Sequence, residues 1–198
     1  MEILNDIILK NDDFSLKKGE AAFIFARQPQ KGRVKYVSSN KSCLYCPKEP
    51  YWIKCVSYTT DKKDLLLINE NIDAFTKWGV FQKRNRTGPI SQKDIDILEG
   101  GEIRLMNIIL SRLKNENFIE INLVGLAFDS IERVLNYILY DISNNDVSYL
   151  IVSYTNTDFT TSNPIFLRNK NDIKVIINYL EEENRITRNL YDTKYEDS

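Results

Sequence analysis

The chain has 198 residues, 42% hydrophobic and 28% charged, with a formal net charge of −1; this suits one globular domain with a sizeable core and excludes collagen-like, mucin-like and mostly disordered classes. Histidine is absent, which removes Ser-His and Cys-His nucleophile pairs, His-ligated zinc hydrolysis and imidazole acid–base catalysis. The near-neutral total hides a polarised chain: residues 1–90 hold 16 Lys and Arg against 10 Asp and Glu, and residues 91–198 hold 11 against 18.

Along the chain, the opening MEILNDIILKNDDF is acidic and lacks the basic n-region of a secretory leader, so no export signal is expected. AAFIFARQ, then GRVKYVSS after a Pro29/Gly32 turn, then YWIKCVSYT and DLLLINE across the polar turn 60–64, are short β-branched and aromatic runs bounded by turn residues. They read as strands in hairpins. Residues 71–81 read as a short helix, and 83–89 as a basic loop.

The second half changes to helical period. Ser91 with Asp94 three residues on reads as a capping-box start, and Ile103, Met106, Ile109, Leu110 and Leu113 form one apolar stripe, with Gly100-Gly101 expected to break this element. Residues 118–124 read as a strand, 129–142 as an amphipathic helix and 147–154 as a second strand, a βαβ unit whose crossover is long enough for parallel pairing. Residues 164–168 read as an edge strand and 172–183 as a final helix facing inward through Ile173, Ile176, Ile177 and Leu180. The fold class expected is α+β: an antiparallel β-rich N-terminal part packed on an α/β C-terminal part containing one βαβ unit. One compact domain over 1–198 is expected, with a basic β-rich subregion 1–90, an acidic helix-rich subregion 91–190 and a mobile tail 191–198.

The longest apolar runs, such as Leu65 to Ile68, fall far short of the roughly 20 residues a membrane helix needs. Three cysteines clustered between Cys43 and Cys55 make a poor disulfide framework and suit a reducing, cytoplasmic compartment. The 24 isoleucines and 20 asparagines point to an AT-rich genome, such as that of a bacterium, phage or virus.

Chemical motifs are sparse. No GxxxxGK[ST] phosphate loop and no GxGxxG turn occurs, and Val124-Gly125-Leu126 after a strand lacks the further glycines such a turn uses. Cys43-x2-Cys46-x8-Cys55 has knuckle spacing in its first pair but no fourth ligand, so no metal is expected and the cysteines stay weak candidates. Glu120, Asp129 and Asp158 are carboxylates near strand ends that a Mg²⁺-dependent nuclease could use; Glu120, on the parity opposite Ile119 and Ile121, reads as a solvated edge residue, and Asp94 and Asp96 as exposed helix surface.

The basic-aromatic segment gives the sharpest signal. Between residues 21 and 60 seven cations face one acid, Glu49, and aromatics interleave with them. Arg27, Lys31, Arg33, Lys35, Lys54, Arg84 and Arg86, with Tyr36, Tyr45 and Trp52, are the candidate nucleic-acid-binding residues, because phosphates demand clustered cations and unpaired bases stack on aromatic rings. Against this stand the acidic second half and a pI near 5.7. The leading expectation is a non-catalytic, macromolecule-binding accessory protein of a virus, phage or mobile element: an inhibitor or adaptor of a protein partner. Nucleic-acid binding through the basic half is the alternative and the nuclease the third, with no cofactor expected.

Overall fold

The structure is a computed structural model, and it describes residues 7–10, 15–27, 35–36, 42–43, 61–82, 88–123, 125–155 and 164–196. It contains helices and a mixed parallel and antiparallel sheet. A small antiparallel sheet joins β1 (Ile7–Lys10), β2 (Ser15–Lys17) and β4 (Lys35–Tyr36) in the order β2-β1-β4. The larger sheet runs β5-β6-β7-β3-β8, where β3 is Ala21–Arg27, β5 Ser42–Cys43, β6 Phe118–Asn122, β7 Ser148–Thr155 and β8 Ile165–Phe166. Its first four strands are parallel, and β8 closes the β3 edge antiparallel.

The position of β3 departs from the expected division into an antiparallel basic half and an α/β acidic half. β3 comes from the basic half, yet it pairs parallel with β7 from Ala21 opposite Tyr149 to Arg27 opposite Thr155. Its composition explains this: Ala21 and Phe23 are buried on one face and Ala22 on the other, so the strand is apolar on both sides. Strands covered on both faces belong inside parallel sheets.

A second difference concerns DLLLINE, expected as a strand, which lies in helix α1 (Lys62–Glu70). The expected turn is its N-cap: Asp61 Oδ1 accepts a 2.7 Å hydrogen bond from the Asp64 amide. Ile68 is buried while Leu66 is 60% exposed, so the run obeys the helical period and not strand alternation. Helix α2 (Ile72–Thr76) follows, and Ser91 and Asp94 form the capping box that opens α3 (Gln92–Ile95). Asp94 is buried by that box instead of lying on an exposed face. The break expected at Gly100-Gly101 falls earlier, at 96–99, and the glycines open α4 (Gly100–Leu113) behind a second capping box between Glu99 and Glu102. At its far end Asn115 takes the left-handed region (φ 61), its amide donating to Arg112 O and that of Glu116 to Ser111 O. This Schellman turn aims the chain into β6.

β6, α5 (Phe128–Asn144) and β7 form the βαβ unit, and Ile131, Val134, Leu135 and Ile138 bury one face of α5. Helix α6 (Lys170–Glu196) packs through Ile173, Ile176 and Leu180 and continues as helix into the segment read as a tail. Ile119, Ile121, Tyr149, Ile151 and Phe23 face the helical layer and form the main core with α4, α5 and α6. On the opposite face Phe118, Leu150, Val152 and Ala22 pack with Leu16 of β2. Among the described residues no helix is long and apolar enough to cross a membrane.

Candidate ligand site at the carboxyl end of the parallel strands

The expected basic-aromatic set is divided. Arg27 is the last residue of β3, at the carboxyl end of the large sheet, whereas Lys35 and Tyr36 form β4 in the small sheet, opposite Lys10 and Leu9. Lys31, Arg33, Tyr45, Trp52, Lys54, Arg84 and Arg86 lie outside the described residues, as do Cys46, Cys55 and Asp158. The described members therefore sit on two different sheets.

The carboxylates also separate. Glu120 is 8% exposed on β6, an interior strand between β5 and β7, and not a solvated edge residue. Asp129 is exposed in the first turn of α5. Among the described residues no three His, Cys, Asp or Glu side chains are grouped to hold a metal ion.

What the topology does gather is the carboxyl end of β6, β7 and β3. The ladder continues past β6 as the Leu123 amide donates to Val152 O at 2.9 Å, and the chain then turns through Gly125 at φ +77, with the Leu126 amide donating to Leu123 O. That turn leads onto the helical face as α5. From β3 the chain goes to β4 instead, in the small sheet whose β2 covers the opposite face. β6 and β3 flank β7 and send their chains to opposite faces of the sheet; ligands of open parallel sheets lie outside the strands' carboxyl ends where connections diverge in this way. Two buried polar side chains stand at this end, Asn122 on β6 and Ser153 on β7. The α5 N-cap, Ala127, offers no side-chain oxygen, so first-turn amides lack a side-chain acceptor. The sequence signal for this turn was present in Val124-Gly125-Leu126, but one glycine is too weak a pattern to locate a site before the strand order is known.

The opposite, amino end carries a buried polar network that sequence periodicity gave no sign of. Asp141, on the inner side of α5, accepts hydrogen bonds from Tyr149 (2.5 Å) and from Asn145 Nδ2 (2.6 Å), and Arg112 Nε lies 3.0 Å from its Oδ2. The Arg112 N–H is not aimed along that contact, so this is an ion pair without a hydrogen bond. Burial pushes the Tyr149 phenol well above its ordinary value, and the Asp141 charge adds to the rise; burial and then Asp141 raise Tyr137 as well. The network ties α4, α5 and β7 together and presents no nucleophile.

No family model and no curated protein matches this chain. Among solved structures it is similar to the ADP conformation of an ATP-binding cassette of an ABC transporter, at 12% identity and a TM-score of 0.41, over 87% of this chain and 93% of that one. A nucleotide-binding cassette runs against the expectation of a non-catalytic, macromolecule-binding accessory protein, and that expectation is withdrawn. At this identity and score the likeness assigns no activity to the chain.

Proposed function

We propose that this chain is a ligand-binding α/β protein that takes a small polar molecule in the crevice at the carboxyl ends of β6, β7 and β3. The reading rests on one observation: the chain leaves β6 for the helical face and leaves β3 for the sheet on the other face. Crevices of this origin are where open parallel sheets hold ligands. The chemistry of the rim favours a ligand carrying hydrogen-bond acceptors, such as a phosphate or carboxylate, because the first-turn amides of α5 have no side-chain acceptor. Asn122 and Ser153 place one buried polar side chain on each face of the sheet at this end.

Thermal unfolding in the presence of nucleotides, sugar phosphates and small dicarboxylates tests this. A ligand at about 100 times its Kd stabilises the folded state by about 2.7 kcal/mol, an easily read rise in Tm. The rise should vanish in Gly125→Val, since φ +77 is strained for a β-branched residue, and should persist in Asp146→Ala at the other end of the sheet. A panel that leaves Tm unchanged, or a rise that survives Gly125→Val unaltered, overturns the reading.

A further inference from the structure

We propose that the group held at the carboxyl end of the sheet is a phosphate monoester, gripped between the first turn of α5 and the hydroxyl of Ser153. This rests on the crevice reading and narrows it from acceptor-bearing molecules in general to one chemical class.

Ser153 is 6% exposed on β7, and among the described residues no hydrogen bond reaches its hydroxyl. Burying a hydroxyl without a partner is costly, and native interiors seldom keep one unless something outside the chain supplies the bond. The register places this hydroxyl. Asn122 of β6 lies opposite Val152 of β7, and the Leu123 amide donates to Val152 O, so Leu123 and Ser153 are neighbours one step further along. Leu123 belongs to the core beneath the helices, and Ser153 shares its face. The chain then folds back over this pair: the Leu126 amide donates to Leu123 O, and α5 starts at Phe128. The hydroxyl therefore faces the start of α5.

That helix brings donors of its own. Its first internal bond runs from the Ile131 amide to Ala127 O, so the amides of Phe128, Asp129 and Ser130 precede the ladder, and Ala127 carries no side-chain oxygen to meet them. The start of α4, which meets that of α5 at Gly101 and Ser130, is closed differently, by the carboxylates of Glu99 and Glu102. Helix amides and a strand hydroxyl thus approach one anion from two elements. A carboxylate offers two oxygens in one plane, whereas a phosphate monoester offers three toward the corners of a tetrahedron, and its second negative charge gains further from the helix dipole. The acid of the turn, Asp129, is exposed, where water screens it from the bound anion.

Calorimetry and thermal unfolding of the full chain, in buffer free of phosphate and sulfate, test this with glycerol phosphate and succinate as probes. Glycerol phosphate should bind and raise Tm, and succinate should bind more weakly. Ser153→Ala should weaken glycerol phosphate binding about tenfold, the loss of one hydrogen bond to a charged group. Ala127 already has the extended backbone of a cap (φ −67, ψ 151), so Ala127→Asp gives the first-turn amides a carboxylate of their own. In that variant Tm without ligand should rise while glycerol phosphate binding is lost, a pair of opposite changes that a misfolded protein cannot produce. Succinate binding as tightly as glycerol phosphate, and lost in Gly125→Val, overturns the phosphate class while the crevice stands. Glycerol phosphate binding unaltered in both Ser153→Ala and Ala127→Asp overturns the site at α5, and no response to either probe overturns the proposal outright.

Discussion

The phenol of Tyr149, at the start of β7, donates a 2.5 Å hydrogen bond to Asp141 on α5, eight residues earlier in the chain. Both side chains are buried, and Asn145 and Arg112 complete the surroundings of the carboxylate. Removing the carboxylate strands two donors, Tyr149 and Asn145, and leaves the Arg112 charge without its ion-pair partner. Asp141→Ala is expected to cost about 3–5 kcal/mol, the range for breaking a buried charge pair, whereas Tyr149→Phe should cost about 1–3 kcal/mol by leaving one acceptor site unmet. Urea unfolding monitored by tryptophan fluorescence checks the order; equal losses would show that the carboxylate does not organise the network.

The same tyrosines set an alkaline limit. Tyr149 and Tyr137 both titrate above the ordinary tyrosine value of 10 because burial disfavours the phenolate. Between that value and their raised folded values the unfolded chain has lost protons that the folded chain still holds, so stability is whole below pH 10 and falls above it. With two such groups the fall approaches about 2.7 kcal/mol per pH unit. Denaturant midpoints measured from pH 9 to 12 should decline beyond pH 10, and a Tyr137→Phe/Tyr149→Phe double variant should decline less steeply. A flat profile to pH 12 contradicts the burial of these phenols.

Gly101 fixes how closely α4 approaches α5. A Cβ built there meets Ser130 Cβ and Oγ at 2.5 Å, nearer than real Cβ atoms come. Gly101→Ala should therefore cost about 1–3 kcal/mol through overpacking, despite alanine's better helix propensity. Adding Ser130→Gly removes the obstructing atoms and should return much of the loss in a double-mutant cycle. Additive losses would place the effect elsewhere.

Asn69 joins α1 to the segment entering α3. Its Oδ1 accepts from the Ile90 amide at 2.6 Å, and its Nδ2 donates to the Ile90 carbonyl at 3.0 Å and to Leu65 O at 2.8 Å. Asn69→Ala leaves both backbone groups of Ile90 without this partner, with an expected cost of about 1–3 kcal/mol. Asn69→Asp keeps the acceptor and loses the donor, so it should fall between the two. Hydrogen exchange should show the Ile90 amide losing protection in Asn69→Ala and keeping most of it in Asn69→Asp.

What the sequence determined by itself are features whose cause is local. The apolar repeat from Ile131 to Ile138 suffices for α5, Ser91 and Asp94 for the start of α3, and strand–helix–strand order for the parallel pairing of β6 with β7, because each depends on residues within a few turns of one another. The tertiary structure decided everything that depends on which distant segments pair. DLLLINE has the composition of either element, and capping by Asp61 with the burial of Ile68 settled it as helix. AAFIFAR reads as a strand in isolation, but its parallel place between β7 and β8 follows from needing cover on both faces. Glu120 beside Cys43, and Arg112 beside Asp141 and Tyr149, are neighbours set by register and helix packing. No spacing along the chain encodes them, since a strand's partner is chosen by complementary burial across the whole sheet.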